Sequence, residues 1–130
     1  MTTSNRVVGA PFGHPALFRL FMGVVVFALV LGHFLLGAAQ VGFPSIRESI
    51  ASHYVGVPTW FFALFGIYQI VIAVLLFRSG SRVAGAMHAG AISVAAIGFA
   101  LLGVETLSLI PINLAVATAA FGVALYYRNS

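Results

Sequence analysis

Four apolar runs, each long enough to cross a bilayer, occupy most of this chain and leave little else for it to fold with. A spanning helix needs roughly 20 mostly apolar residues. The runs are 16–39 (ALFRLFMGVVVFALVLGHFLLGAA), 58–77 (PTWFFALFGIYQIVIAVLLF), 82–104 (RVAGAMHAGAISVAAIGFALLGV) and 107–127 (LSLIPINLAVATAAFGVALYY). Only 6% of the residues are charged, against about a quarter in a soluble domain. A chain so poor in charge cannot cover its own surface in water, so its solvent is lipid. The predicted fold is an all-α membrane protein, an antiparallel four-helix transmembrane bundle. Residues 16–130 form its single domain, behind a cytoplasmic tail of residues 1–15.

Composition also excludes. There is no cysteine, which removes disulfides, thiol catalysis and cysteine-held metal centres. The net charge of +4 does not mark a nucleic-acid binder. Arg6, Arg19, Arg47, Arg78, Arg82 and Arg128 are spread along the chain rather than gathered on one face.

Those arginines set a direction instead. With the N-terminus inside, Arg6, Arg19, Arg78, Arg82 and Arg128 are all cytoplasmic, and only Arg47 is outside. This positive-inside bias predicts a multi-pass protein of the cell's inner (plasma) membrane with both termini cytoplasmic. A cleaved leader ending at Gly37-Ala38-Ala39 fits less well, because its apolar core is too long and Arg19 too deep. The RSGSR link, 78–82, predicts a tight hairpin between the second and third spans.

In the first outer loop, Ser45 precedes Glu48 at capping-box spacing, and Ile46, Ile50 and Tyr54 recur at helical spacing. This predicts a short amphipathic helix, 46–54, on the outer interface. Trp60 stands in the outer aromatic belt, and Tyr126 and Tyr127 in the inner one. Pro15 and Pro58 are placed for first helical turns. Pro111 means either that the fourth span begins there or that its first turn is irregular.

Polar residues inside the spans are the functional signal. Arg19, Val26, His33 and Gln40 recur every seven residues and share one helix face. Thr59, Phe62, Gly66, Gln69, Ala73 and Leu76 form a similar face on the second span. Gly85, Ala89, Ala96, Ala100 and Gly103 make a small-residue seam on the third. Asn113, Ala117, Ala120 and Ala124 form a stripe on the fourth. Polar groups in a membrane span face the bundle interior and mark sites or interfaces. His33, Gln40, Asn113 and Glu105 come to similar heights, Gln69 lies deeper, and His53 and Glu48 sit above. They outline a polar pocket open to the outside. The inner half carries a basic rim of His14, Arg19, Arg78, Arg82 and His88.

Several chemistries are disfavoured. His33 and His88 differ by roughly 15 Å in height at 1.5 Å per residue, too far to be the two axial ligands of one haem. No histidine or carboxylate pair has metal-ligand spacing within a span, so no metal is expected. No broken-helix repeat suggests a transporter.

The leading expectation is a pocket for a lipophilic ligand with a polar head. A quinone is the favoured example, in a possible quinone-linked redox subunit. His33, Gln69 and Asn113 would hold the head, with Glu105 or His53 exchanging protons with outer water. One alternative is an isomerase or hydrolase of a terpenoid or sterol-like substrate, with His33 and Glu105 as acid–base pair. The other is a non-catalytic assembly subunit whose polar stripes are interfaces. Expected partners are the bilayer, the lipophilic small molecule, and further copies of the chain or other subunits of a membrane complex.

The chain resembles the DoxX-like family of small four-span membrane proteins over about 16–127. The resemblance is carried by LFRLFMGVVVFALVLGHF, with arginine early in the first span and Gly32-His33 late. It is also carried by VGVPTWFFALFGIYQIVIAVLLFRSGSRVAGAMHA and INLAVATAAFGVALYY. It implies a membrane-embedded protein, associated in some members with quinone-linked sulfur oxidation or oxidative-stress complexes. The family often carries a glutamate in the second span, where this chain has Tyr68 and Gln69.

Overall fold

The structure, a computed structural model, describes residues 15–129. The expected tail, with Arg6 and His14, lies outside the described residues. The elements are α1 (Pro15–Gly42), α2 (Pro44–Ala51), α3 (Thr59–Phe77), a 3-10 turn at Ser79–Ser81, α4 (Arg82–Leu101), a second 3-10 turn at Leu107–Leu109, and α5 (Ile110–Tyr127). Among the described residues, four helical segments are long and apolar enough to cross a membrane: Pro15–Gly42, Thr59–Phe77, Ser79–Leu101 and Leu107–Tyr127. Their outward faces are large and apolar; Leu20 is 65% exposed, Phe27 66% and Phe77 72%. Patches of that kind mark contact with something other than water, and here they fit a multi-pass membrane protein.

The helices bury most of the faces that periodicity marked, though Thr59 and Gly103, expected on them, are exposed. On α1 these are Met22, Val26, Leu29, His33, Gly37 and Gln40; Arg19, expected on the same face, is exposed. On α3 they are Phe62, Gly66, Gln69, Ile72, Ala73 and Leu76. On α4, Gly85, Ala86, Ala89, Gly90, Ser93 and Ala100 turn inward, and on α5, Ala117, Ala120, Val123 and Ala124.

Around the bundle, α1 packs on α3, α3 on α4 and α4 on α5, and only the α1–α5 seam is slight. The α1–α3 seam is closed backbone to backbone. A Cβ added at Gly37 would sit 2.5 Å from the Gly66 carbonyl oxygen, and one at Gly66 would sit 2.7 Å from that of Gly37. Small residues allow this approach, which is how helices associate where lipid is the solvent. Beyond it, Met22, Val26, Leu29, Ile72, Leu76, Ala86, Ala89, Ala120 and Val123 fill the core away from α2.

Several boundaries depart from expectation. The Ser45–Glu48 capping box does not form. Phe43 is the N-cap and Pro44 opens α2, with no side-chain cap. Proline has no N–H to satisfy, so it takes the first helical position at no hydrogen-bond cost. The helix also ends at Ala51 rather than 54, because the chain turns there to pair with the segment after α4. Val55 N–H donates to Val104 O at 2.7 Å, Thr106 N–H donates to His53 O at 3.0 Å, and Tyr54 and Glu105 form an isolated antiparallel bridge.

The third span stops at Leu101 rather than 104. Gly103 has φ +82°, and Val104 and Gly103 N–H donate back to Phe99 O and Ala100 O. This is a Schellman stop, in which glycine takes the left-handed position without a Cβ penalty. In the fourth span both expected possibilities are realised: a 3-10 turn comes first, and the α-helix begins at Ile110 with Pro111 in its first turn. Arg47 is not simply solvated beside Glu48. Its guanidinium donates to the Gln40 and Val41 carbonyls at 2.8 and 2.9 Å, satisfying acceptors that the end of α1 leaves open.

Candidate functional site

The end of the molecule that carries α2 encloses a cavity of about 370 Å³, at the small end of the roughly 300–1,000 Å³ of ligand pockets. Phe62, Phe65, Leu29, Leu36, Ile92, Ile112 and Val116 give it apolar walls. Into these walls are set His33, Gln40, Gln69, Ser93, Asn113, His53 and Tyr54. Thus His33 on α1, Gln69 on α3, Asn113 on α5 and His53 after α2 line one space. Glu105 does not line it; it stands behind Asn113, whose Nδ2 lies 3.4 Å from Glu105 Oε1. His88, from the expected basic rim, lies elsewhere, with Tyr68 Oη 2.5 Å from its Nδ1.

Three of the polar groups, His33, Gln40 and Asn113, are oriented by a carbonyl of their own helix. The His33 ring is 2.8 Å from the Leu29 carbonyl through Nδ1. A carbonyl only accepts, so Nδ1 carries the proton, and in the neutral ring Nε2 is a lone-pair acceptor. Gln40 Nε2 donates to Leu36 O at 3.1 Å and also to Gln69 Oε1. The Leu36 contact fixes which end of Gln40 is the amide nitrogen, and this in turn fixes the Gln69 amide. Asn113 Nδ2 bonds Leu109 O at 3.0 Å as well as Glu105. Gln40 is 1% exposed, and its Oε1 is buried with no hydrogen-bond partner among the described residues.

Glu105 is 4% exposed, and its Oε2 is likewise buried without a partner. Expected as a group exchanging protons with water, it is instead covered by the loop that carries the Tyr54–Glu105 bridge. Burial raises its pKa above the ordinary carboxylate value, while the neighbouring Tyr54 hydroxyl and the His53 ring work the other way. Burial also raises the Tyr54 phenol, with the adjacent carboxylate adding to the effect.

The mouth of the cavity lies at the slight α1–α5 seam. Ala28, Gly32 and Leu36 on α1 and Ile112 on α5 line the cavity and are also exposed on the outward surface. A Cβ at Gly32 would meet nothing within 4 Å. The opening is therefore lateral, between two helices, at a point where side chains are small.

Two lining residues, Ser93 and Tyr54, stand outside the set expected from sequence. Ser93 had a legible signal, since it sits four residues after Ala89 and three before Ala96 on the small-residue face of α4. Tyr54 had none; it joins the site through pairing with a segment 51 residues away in sequence. Among the described residues, no three histidine, cysteine, aspartate or glutamate side chains cluster as a metal site would require. No protein-family profile, curated protein or solved structure matches this chain.

Proposed function

We infer that this is an integral membrane protein that holds an apolar molecule with a polar head in its cavity. In this reading the four long helices cross the bilayer antiparallel with both termini cytoplasmic. α2 lies on the outer interface, and the cavity opens sideways into the outer leaflet. Membership of the DoxX-like family, and a ligand of the quinone class in either its quinone or its quinol form, belong to the same proposal. One observation carries it: the polar side chains of all four spans and one loop converge on a single cavity whose remaining walls are apolar. Intramembrane polar groups are costly and mark functional sites. An assembly role would put them on an outward face, whereas His33, Gln40, Gln69 and Ser93 are buried within one chain.

The test is mass spectrometry of what co-purifies with the protein in mild detergent, with a His33→Leu/Gln69→Leu variant as control. The expected result is a stoichiometric isoprenoid or similar lipid with a polar head, lost from a variant that keeps its helical circular dichroism. Phospholipid alone, unchanged in the variant, would refute the reading.

A further inference from the structure

We propose that the head group this cavity selects is a hydroxyl, a hydrogen-bond donor, rather than a carbonyl. The inference rests on the cavity being a site for a lipophilic ligand, and it names the chemistry of that ligand. The argument is an inventory of protons. His33 gives Nδ1–H to Leu29 O, so its neutral ring has only the Nε2 lone pair to offer. Asn113 commits Nδ2 to Leu109 O and Glu105, which uses both of its N–H bonds and leaves Oδ1. Gln40 commits Nε2 to Leu36 O and Gln69, and its Oε1 is buried out of reach of the cavity, so Gln40 offers the ligand nothing. On the donor side stands Gln69 Nε2, because its oxygen is the atom engaged by Gln40. Ser93 acts either way, as a hydroxyl does.

Tyr54 and His53 also line the cavity, and each can donate or accept. The fixed acceptors, His33 Nε2 and Asn113 Oδ1, therefore outnumber the fixed donor, Gln69 Nε2. A carbonyl head accepts only, so it satisfies Gln69 or Ser93 and leaves the His33 and Asn113 lone pairs facing it unmet. Unmet polar groups in a low-dielectric cavity are expensive. A hydroxyl head donates to His33 Nε2 or Asn113 Oδ1 and accepts from Gln69 in the same pose. An ammonium head would also donate, but among the described residues no carboxylate lines the cavity to balance its charge, and an unbalanced charge at this depth is disfavoured. The class that fits is a lipid alcohol or phenol, the reduced form of a quinone included, with its chain leaving through the opening beside Gly32.

The experiment uses the full-length protein in detergent micelles with tritiated farnesol as probe. Unlabelled farnesol, farnesal and farnesyl methyl ether are the competitors. They share one chain and differ only in the head, which is donor and acceptor in the first and acceptor alone in the others. The expected result is saturable farnesol binding, with farnesal and the ether competing at least about tenfold more weakly. In a His33→Leu variant that tenfold gap should close toward parity. Saturable binding with equal competition by all three would overturn the hydroxyl assignment and leave the ligand site standing. Stronger competition by farnesal would overturn it in favour of a carbonyl head. No saturable binding of any of the three would remove the ligand reading as well.

Discussion

Gly32 and Gly37 lie five residues apart on one helix and do opposite work. Gly37 faces α3, where a single added carbon would run into the Gly66 backbone at 2.5 Å. Gly32 faces the α1–α5 seam, where the same carbon would meet nothing within 4 Å. One glycine lets two helices close and the other keeps two helices from closing. In a bilayer, apolar side chains gain nothing by leaving lipid for one another, so fit decides which seams seal. The α1–α3 seam seals by backbone contact. The α1–α5 seam stays open where Ala28 and Gly32 offer at most a methyl group to fill it, and the cavity lies behind it.

The contrast can be broken by substitution. The largest effect is expected at the closed seam. Gly37→Ala should force α1 and α3 apart and cost about 3 kcal/mol, the upper end of ordinary overpacking. Thermal unfolding in micelles followed by circular dichroism measures this, and an unchanged midpoint would mean that the seam is not sealed as described. Gly32→Phe should leave that midpoint in place and plug the mouth. It should weaken farnesol binding at least about tenfold, or about 1.4 kcal/mol. Unimpaired binding would place the route elsewhere.

Gln69→Leu acts between the two regions, since Gln69 bridges to α1 through Gln40 and also lines the cavity. It should cost about 0.6–1.7 kcal/mol of stability, the measured range for interhelical hydrogen bonds in membranes. A larger loss would assign Gln69 to the scaffold more than to the site.

The subtlest effect is in pH dependence. Glu105 titrates above the ordinary carboxylate value because it is buried. Between its unfolded and folded pKa the native state holds more protons than the unfolded one, so stability falls as pH rises through that window and levels off above it. Glu105→Gln should flatten this slope. Equal slopes in wild type and variant would show that the carboxyl is already ionised and solvated. Tyr54 and His53, the titratable groups beside Glu105, are unchanged in the comparison.

Much of this was legible before any coordinates. Residue spacing put His33 with Gln40, and Gln69 with Gly66, on buried faces, because a helical period of 3.6 residues fixes which side chains share a side. Depth along each span matched His33 to Asn113, because helical rise is constant. The loops were less legible. Ser45 and Glu48 have the spacing of a capping box, yet Pro44 starts the helix two residues earlier. Tyr54 has helical spacing to Ile50, yet its backbone leaves the helix to meet Glu105.

What the chain's order of residues determined by itself is the solvent, the number and length of the apolar helices, and the face each one buries. These follow from composition and period, both of which are local. What the tertiary structure decided is which faces meet. It sealed α1 against α3, left α1 parted from α5, and folded the Tyr54 segment over Glu105. Those outcomes depend on how closely two backbones approach across long stretches of sequence, and no single segment carries that distance.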